Sequence, residues 1–373
     1  MVAGEASGDL LAGRLMDGMQ ARWKTLDVCG IGGPQMVARG MQAWWPQDKL
    51  AVHGFSWELI RRYREIVGIR RQLRERLIAA PPDVFIGVDA PDFNLDLAHA
   101  LKAQGVPTVH FVCPSIWAWR ADRIHKIRDS VNHVLCIFPF EEALLASHGI
   151  EATYVGHPIA QTIPLETDTT AAKLALGLDP ARPVVALLPG SRLSEINYLA
   201  ERFIQASRLM LASQPHLQFV LPALPALKSR VEARVAEQQM TPHIQVLNGQ
   251  SHQALAACDV TLIASGTATL EAALFKKPML IAYNMNWISW QIMRRQKLQP
   301  WVGLPNILCQ DFVVPELLQE AATPQALANG VLDWLDSPAK IEQLQQRFTQ
   351  LHHSLMRDTP QLAAHAIQKI LSR

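Results

Sequence analysis

The chain has 373 residues, of which 49% are hydrophobic and 18% are charged, and its formal net charge is +2. This length suits two domains of similar size, and the composition excludes extensive disorder. The near-neutral charge excludes a global nucleic-acid signature, so any basic surface must be local. Five scattered cysteines without a C-x-x-C pair argue against a disulfide framework or a zinc site and favour a reducing cytoplasm.

We expect neither a membrane-spanning segment nor a signal peptide in this sequence. No apolar run approaches the roughly 20 residues that a membrane-crossing helix needs. The first residues already indicate a strand end and a loop, which no secretory leader has. We therefore expect a protein that is soluble or at most lies on a membrane surface.

The first residues predict a strand end at Val2, a Gly-rich turn and a helix over residues 10–23. The strand is either very short or begins upstream of Met1. Glu5, Ser7 and Asp9 suit helix caps as well as a ligand site. A short strand over 26–29 leads into the glycine cluster of residues 30–34, but no acidic residue follows that could hold a ribose, so nicotinamide binding is not predicted.

Residues 51–78 combine an apolar face with basic charge. Seven arginines stand against two glutamates between Arg61 and Arg76. A basic amphipathic helix with aromatic anchors favours contact with an anionic membrane surface. The side chains predicted to make that contact are Phe55, Trp57, Ile60, Tyr63, Arg61 and Arg62. The alternative is a surface helix whose apolar stripe packs on its own domain.

Three further strands are predicted over 83–89, 108–112 and 134–138. Asp89 ends the first of them, where α/β folds carry their catalytic groups, although it could equally cap the next helix. The second strand runs into the segment Pro114–Arg120, whose tryptophans and arginine suit either an apolar wall with a charged rim or simple packing.

The second half repeats the alternation of strands and helices without a sequence repeat. Strands are predicted over 184–188, 218–221, 244–247, 260–263 and 278–282. We predict an α/β fold of two Rossmann-like domains, each a βαβ series. The predicted divisions are a first domain at 1–165, a linker at 166–182, a second domain at 183–335, and C-terminal helices at 336–373. The helices beyond Pro315 are expected to be short and polar-faced and to form a C-terminal tail that packs across domains or subunits, so a homodimer is one expected state.

Two loops of the second half predict a nucleotide diphosphate site. After the strand 184–188, the sequence Pro-Gly-Ser-Arg192 places an arginine and free N–H groups at a helix start, where an anion is favoured. After the strand 260–263, Ser265, Gly266 and Thr267 let a backbone approach phosphates, and Glu271 can accept both hydroxyls of a ribose. An ordinary strand–turn–helix corner is the alternative for either loop taken alone.

Six motifs together resemble the lipid-A-disaccharide synthase family, from Val2 to about Asn306 and more weakly beyond. They are V-A-G-E-A-S-G-D, V-D-A-P-D-F-N, P-S-I-W-A-W-R, L-L-P-G-S-R, A-S-G-T-A-T-L-E and L-P-N-I-L, in that order. The resemblance implies the B-type (GT-B) glycosyltransferase fold, with two Rossmann-like domains facing a cleft. The one departure is the abbreviated first strand.

The resemblance also implies a reaction of lipid A, and hence lipopolysaccharide, biosynthesis. The family transfers 2,3-diacylglucosamine from its UDP-linked form to 2,3-diacylglucosamine 1-phosphate, forms a β(1→6) bond and releases UDP. It works on the cytoplasmic face of the inner membrane of Gram-negative bacteria. By this resemblance Asp89 is the catalytic base or positions the acceptor, Arg192 acts on the diphosphate with Ser265 to Thr267, and Glu271 takes the ribose. Asn306 lies near the site, and Glu5 and Ser7 line the acceptor side.

The sequence contains no carboxylate or histidine cluster that suggests a metal, and we expect no cofactor. The expected partners are the two sugar substrates and an anionic phospholipid surface, without nucleic acid. Two alternatives from other classes stay open. A UDP-sugar 2-epimerase would share the fold and the nucleotide loops, but it would not release UDP when an acceptor is present. A non-catalytic membrane-surface binding protein would need the segment 51–78 but neither Asp89 nor Arg192.

Overall fold

The computed structural model describes residues 1–50, 57–118, 121–296 and 298–372. Within those ranges the description does not extend to the side chains of residue 6, residues 57–63, or residues 288, 289 and 292. The chain forms two compact units, one of Met1–Gln161 with Ser354–Arg373, and one of Thr162–His353. The first division therefore lies near the predicted 165, whereas the chain returns to the first unit only after residue 353.

All strands are short. In chain order they are β1 (Val2–Ala3), β2 (Cys29–Gly32), β3 (Gln42–Pro46), β4 (Phe85–Val88), β5 (Thr108–Phe111), β6 (His133–Cys136), β7 (Ala152–Tyr154), β8 (Val184–Leu188), β9 (Gln218–Ala223), β10 (Ile244–Asn248), β11 (Val260–Ala264), β12 (Met279–Tyr283) and β13 (Glu316–Leu318). Every pairing between them is parallel. The predicted α/β class with two parallel sheets is confirmed.

The helices alternate with these strands. They are α1 (Ala6–Arg22), α2 (Pro34–Val37), α3 (Trp57–Ala79), α4 (Pro91–Lys102), α5 (Arg123–Ser130), α6 (Pro139–Ala146), α7 (Pro158–Thr162), α8 (Thr169–Ala175), α9 (Leu193–Ser213), α10 (Lys228–Glu237), α11 (Ser251–Ala257), α12 (Thr267–Leu274), α13 (Trp287–Gln296), α14 (Leu304–Cys309), α15 (Pro324–Leu335), α16 (Pro338–Leu355) and α17 (Thr359–Leu371). In the part of the chain that the structure describes, no helix combines the length and apolarity needed to span a membrane.

Each sheet reverses its strand order at one place. The first sheet has the order β3-β2-β1-β4-β5-β6-β7, and the second has the order β10-β9-β8-β11-β12-β13. The chain thus builds outward in one direction and then in the other, with the reversal between β1 and β4 and between β8 and β11. At such a reversal the loops leaving the two central strands diverge to opposite faces and open a crevice, where α/β proteins bind ligands.

The glycine cluster after residue 29 forms strand β2 rather than the predicted loop. Gly30 has a φ of +135°, and a Cβ added there would lie 2.2 Å from the carbonyl oxygen of Met1. Glycine is therefore required because the backbone of the neighbouring strand passes so close. Asp9 then accepts hydrogen bonds from the N–H groups of Gly33, Gln35 and Met36, at 2.9, 2.8 and 3.1 Å. These N–H groups at the start of α2 therefore have a hydrogen-bond acceptor within the protein.

Helix α8 lies where the sequence predicted a linker, and buried lysines hold it to the second unit. Lys173 makes an ion pair with Asp259 at 2.9 Å. Lys277 donates to the hydroxyl of Thr169 at 3.0 Å. Both lysines are almost fully buried. These contacts therefore make the segment part of the second domain, at the edge of its core.

The C-terminal helices are longer than predicted and bury apolar faces. Helix α16 has 18 residues. In α15 the fully buried Trp334 donates its indole N–H to the carbonyl of Met279 at 3.1 Å. Helix α17 packs on α1 so closely that a Cβ at Gly18 would lie 2.1 Å from the carbonyl oxygen of Pro360. The sequence interpretation of short, polar-faced helices was wrong, because their apolar residues recur at helical spacing across several turns.

Candidate nucleotide and acceptor sites

A pocket of about 390 Å³ opens at the strand reversal of the second unit. It lies where the loops after β8 and β11 separate, as the topology requires. Five of the residues predicted to bind the UDP-sugar line it together: Arg192, Ser265, Gly266, Thr267 and Glu271. The structure thus brings the whole predicted donor set to one place.

The loop after β8 has a different electrostatic arrangement from the predicted one. The backbone N–H groups of Ser191 and Arg192 both donate to Oε2 of Glu195, at 2.9 and 3.1 Å. Gly190 has a φ of +121°, and a Cβ there would lie 2.4 Å from Cβ of Glu195. The N–H groups of Ser191 and Arg192, just before this helix start, are therefore not free, because a carboxylate of the chain accepts from them.

The Arg192 side chain remains available to a ligand. It is 81% exposed, and its one ion-pair partner among the described residues is Glu195, at 3.5 Å from Nη1 to Oε1. A contact of that length restrains the guanidinium weakly. An exposed arginine at the rim of a pocket can turn to make the bidentate contact that phosphate oxygens favour.

The loop after β11 presents a helix start that is open to a ligand. Gly266 and Thr267 begin α12, whose first N–H groups have no carbonyl of their own helix to bond. A Cβ built on Gly266 would meet no atom within 4 Å, so there is room above the backbone. The hydroxyl of Ser265, by contrast, donates to the carbonyl of Val302 at 3.0 Å. This loop offers a phosphate backbone N–H groups more directly than it offers the serine hydroxyl.

Glu271 lies one turn into α12, and its carboxylate has a partner that the sequence did not reveal. His252, in the first turn of α11, places Nε2 at 3.1 Å from Oε2 of Glu271. The hydrogen bond to this carboxylate raises the pKa of His252 above its usual value, against the opposing effect of partial burial. No spacing in the sequence links the two residues, because they meet only when α11 and α12 pack side by side.

Asn306 does not line this pocket. Its side chain is fully buried and donates to the carbonyl of Val314 at 2.9 Å and to Oε1 of Glu316 at 2.8 Å. Its Oδ1 accepts from the N–H of Val314 at 3.0 Å. These contacts hold the start of β13, so the side chain acts as a structural brace, and its predicted role in substrate binding stays a prediction.

Asp89 lies at the corresponding place in the first unit, beyond β4 at the reversal of the sheet. Asp89 and Ala90 have left-handed backbone, with φ values of 52° and 43°. Asn94 stabilises this turn, because its buried amide donates to the carbonyl of Asp89 at 2.8 Å. The N-cap of α4 is Ala90, so Asp89 precedes the position of a helix cap.

The surroundings of Asp89 favour a base. Burial raises the pKa of its carboxyl above the usual value, and the nearby charge of Glu5 raises it further. A carboxylate with a raised pKa accepts a proton more readily. Glu5 and Ser7 are exposed, beyond β1 on the neighbouring strand, and a Cβ on Gly4 would lie 3.0 Å from that of Ala90. The predicted acceptor-side residues therefore lie at the start of α1, after the strand that neighbours β4.

Asp89 lines a small pocket of about 140 Å³ together with Ser115 and Arg123. Arg123 donates through one nitrogen to both carboxylate oxygens of Asp92, at 2.7 and 3.0 Å. Pro114 also lines this pocket, and farther along the chain Trp117 donates its indole N–H to Glu141 at 2.9 Å. Glu141 also accepts from the N–H groups of Ile137 and Phe138.

Glu141 was missed by the sequence analysis, although a signal for it exists. Glu141 lies three residues after Phe138, the N-cap of α6, which is the position of a capping-box carboxylate. Glu195 follows Arg192 at the same spacing. Burial raises the pKa of Glu141 to about 7, against the hydrogen bonds that favour its ionised form.

The predicted membrane contacts fall mainly outside the described residues. Phe55 is not described, and neither are the side chains of Trp57, Ile60, Arg61, Arg62 and Tyr63. Farther along α3, Ile69, Leu73 and Leu77 are buried, so this part of the helix packs on its own domain. Among the described residues, no group of three or more His, Cys, Asp or Glu could hold a metal ion, and metal independence stays a prediction.

Comparison with known proteins gives the family. A sequence model described as lipid-A-disaccharide synthetase matches residues 1–367. A lipid-A-disaccharide synthase of Albidiferax ferrireducens is 67% identical over 375 residues, covering 100% of this chain and 96% of that protein. One from Verminephrobacter eiseniae is 60% identical, covering 100% and 97%. The structure of a UDP-GlcNAc 2-epimerase from Neisseria meningitidis aligns with a TM-score of 0.64 at 13% identity, covering 100% and 98%, which shows a shared fold alone.

Proposed function

Because the chain belongs to the lipid-A-disaccharide synthase family of glycosyltransferases, we propose that it joins two acylated glucosamines. The donor is UDP-2,3-diacylglucosamine and the acceptor is 2,3-diacylglucosamine 1-phosphate. The acceptor's 6-hydroxyl oxygen attacks the anomeric carbon of the donor, and the bond from that carbon to UDP breaks. UDP leaves with the electron pair, and the product is a β(1→6) disaccharide 1-phosphate.

The observation that carries the proposal is the convergence of the donor residues on one pocket at the strand reversal. A diphosphate leaving group must lose part of its negative charge as the bond breaks. Arg192 supplies a mobile positive charge, and the N–H groups at the start of α12 supply fixed dipoles. Glu271 offers a carboxylate to the ribose hydroxyls. These groups serve a nucleoside diphosphate without a metal ion.

On the acceptor side, Asp89 is the proposed base. Its raised pKa and its place beyond β4 suit removal of the proton from the 6-hydroxyl. The proton passes to the carboxylate as the oxygen attacks, which keeps the alkoxide character of the nucleophile small. Displacement from the face opposite UDP inverts the configuration at the anomeric carbon.

The proposal extends to where the protein works. Both substrates carry acyl chains, so the enzyme must meet them at a bilayer, and we place it on the cytoplasmic face of the inner membrane. The arginines of α3 support this, since Arg64, Arg71 and Arg74 are exposed to solvent and anionic headgroups attract such charge. Homodimerisation also remains a proposal, and light scattering on the purified protein measures it.

The test is a reaction with and without the acceptor. Purified protein is incubated with UDP-2,3-diacylglucosamine alone or together with 2,3-diacylglucosamine 1-phosphate, in detergent micelles. UDP and a disaccharide 1-phosphate should form in equal amounts and only when the acceptor is present. The reaction should also proceed with EDTA in the buffer. Epimerised UDP-sugar without acceptor would support an epimerase instead, and unchanged substrates would indicate a protein that only binds membranes.

A further inference from the structure

Glu271 reaches the nucleotide pocket with one of its carboxylate oxygens already engaged. Oε2 lies 3.1 Å from Nε2 of His252. The side chain of Glu271 is only 19% exposed, whereas that of His252 is 48% exposed. The carboxylate is thus the inner member of the pair, and the histidine approaches it from the solvent side.

The engaged oxygen determines how the carboxylate can meet a ribose. Two adjacent hydroxyls need two acceptor lone pairs in a defined plane, and a freely rotating glutamate side chain presents that plane only part of the time. A hydrogen bond from His252 to Oε2 restricts the rotation and leaves Oε1 for a ligand of the pocket that Glu271 lines. Ordering a carboxylate in advance reduces the entropy lost when the ligand binds.

The His252 ring is itself held in place. It lies against Phe275 with ring centroids 5.5 Å apart and an interplanar angle of 67°, an edge-to-face arrangement. Phe275 directly follows α12, the helix that carries Glu271. The ring therefore packs against the end of the helix that carries its hydrogen-bond partner, Glu271.

We propose that His252 is a positioning residue for the nucleotide site, which orients Glu271 toward the ribose hydroxyls of the bound UDP group. The proposal rests on the proposed function, because it acts through the ribose of a UDP-sugar. It assigns His252 no contact with the sugar that is transferred.

The test compares two nucleotides, UDP and 2′,3′-dideoxy-UDP, by titration calorimetry. His252→Leu removes the hydrogen bond, and UDP should bind roughly tenfold more weakly, as expected for a lost hydrogen bond to a charged group. The dideoxy nucleotide should bind His252→Leu and the wild type equally well, since it has no hydroxyls for Glu271 to accept. His252→Gln, whose amide can donate to the same oxygen, should recover most of the affinity for UDP.

The matched control is His243→Leu, because His243 is an exposed histidine of the same unit, and its replacement should change neither affinity. Equal losses for both nucleotides in His252→Leu would indicate a merely structural role and overturn the proposal. Unchanged UDP affinity in His252→Leu, with the wild type still preferring UDP to the dideoxy form, would overturn this inference while leaving the proposed function intact. Failure of the wild type to bind UDP would overturn both.

Discussion

The carboxylate of Glu195 lies 2.9 Å from the backbone nitrogen of Ser191 and so occupies an N–H group that a phosphate would otherwise use. A negative charge thus lies within the pocket proposed for a diphosphate. At the same time it caps α9, because the N–H of Arg192 donates to the same oxygen at 3.1 Å. Stability of the helix and affinity for an anion are therefore in conflict at this loop.

Glu195→Gln should separate the two effects. The amide oxygen can still accept from the backbone, so the helix cap is largely kept, but the charge is lost. Affinity for UDP should rise by up to about fivefold, the scale of one partly screened charge interaction of about 1 kcal/mol. Calorimetry at low and high ionic strength checks this, since the gain should shrink as salt screens the charge. Weaker UDP binding in Glu195→Gln would mean that the carboxylate assists the nucleotide.

Arg192→Ala should weaken UDP binding by roughly 1.5–3 kcal/mol, because a charge-assisted contact to phosphate is lost. The melting temperature should hardly change, since the side chain is 81% exposed. Arg230→Ala is the matched control, because it removes an equal charge from an exposed position of the same unit. Equal UDP affinity for Arg192→Ala and the wild type would place the diphosphate away from this loop.

Asp89→Asn should lower turnover by at least the roughly 10²-fold typical of lost acid–base catalysis. Asparagine also tolerates the left-handed φ of 52° at this position, so the turn should be preserved. Because the pKa of Asp89 is raised on folding, the ionised carboxylate destabilises the folded state above that pKa. The variant should therefore be at least as stable as the wild type at neutral pH, with the difference vanishing in acid.

Turnover against pH and urea unfolding at two pH values measure these effects together. In the wild type, turnover should fall as the pH decreases through the raised pKa, because a protonated carboxyl cannot accept the proton. A well-folded Asp89→Asn variant with wild-type turnover would show that Asp89 is not the base.

The alternation of apolar runs and helical periodicity was enough to predict two parallel α/β units. Strand β8 was predicted at its observed bounds, because five consecutive apolar residues followed by Pro-Gly leave little choice. Strand β2 was misplaced, because Gly30 is required by the close approach of Met1, a contact between residues that are distant in the sequence. The division of the chain after residue 353 was not predictable, since it depends on α17 packing against α1.

The candidate site was predictable only where chemistry depends on a local motif. Ser265 to Glu271 lie on one loop and the helix that follows it, so their spacing in the sequence already predicts that they are close together in space. Contacts between separate elements of the fold carry no such signal: His252 meets Glu271 across 19 positions, and Trp117 meets Glu141 across 24. Asn306 is the opposite case. It belongs to a local motif that predicts a substrate contact, but its side chain donates hydrogen bonds to Val314 and Glu316.

Glu141 should make the first unit respond to pH. Its pKa is raised by burial from 4.5 to about 7, so the folded state holds the proton more tightly than the unfolded state does. This group's contribution is therefore fully present below pH of about 4.5 and is lost as the pH rises toward 7. Glu141→Gln should flatten that dependence while keeping a partner for the Trp117 indole, as urea unfolding across this range measures.

Glu142→Gln is the matched control for that measurement, since Glu142 is the exposed neighbour on the same helix. It should leave the pH dependence of unfolding as in the wild type. A Glu141→Gln variant whose stability still fell between pH of about 5 and 7 by the wild-type amount would assign the effect to other groups.

The early part of α3 should bind membranes through two separable forces. Apolar Trp57 and Ile60 are predicted to enter the interface, whereas Arg61 and Arg62 meet anionic headgroups at about 1 kcal/mol each. The Trp57→Ser/Ile60→Ser double variant should therefore sediment less with anionic vesicles at any salt concentration. Replacing the two arginines with Gln should reduce only the salt-sensitive part of the binding. Leu73→Ala is the control, because Leu73 is fully buried and its loss should lower the melting temperature without changing vesicle binding. If the double variant instead behaves like Leu73→Ala, this stretch of α3 packs on its own domain and the membrane contact lies elsewhere.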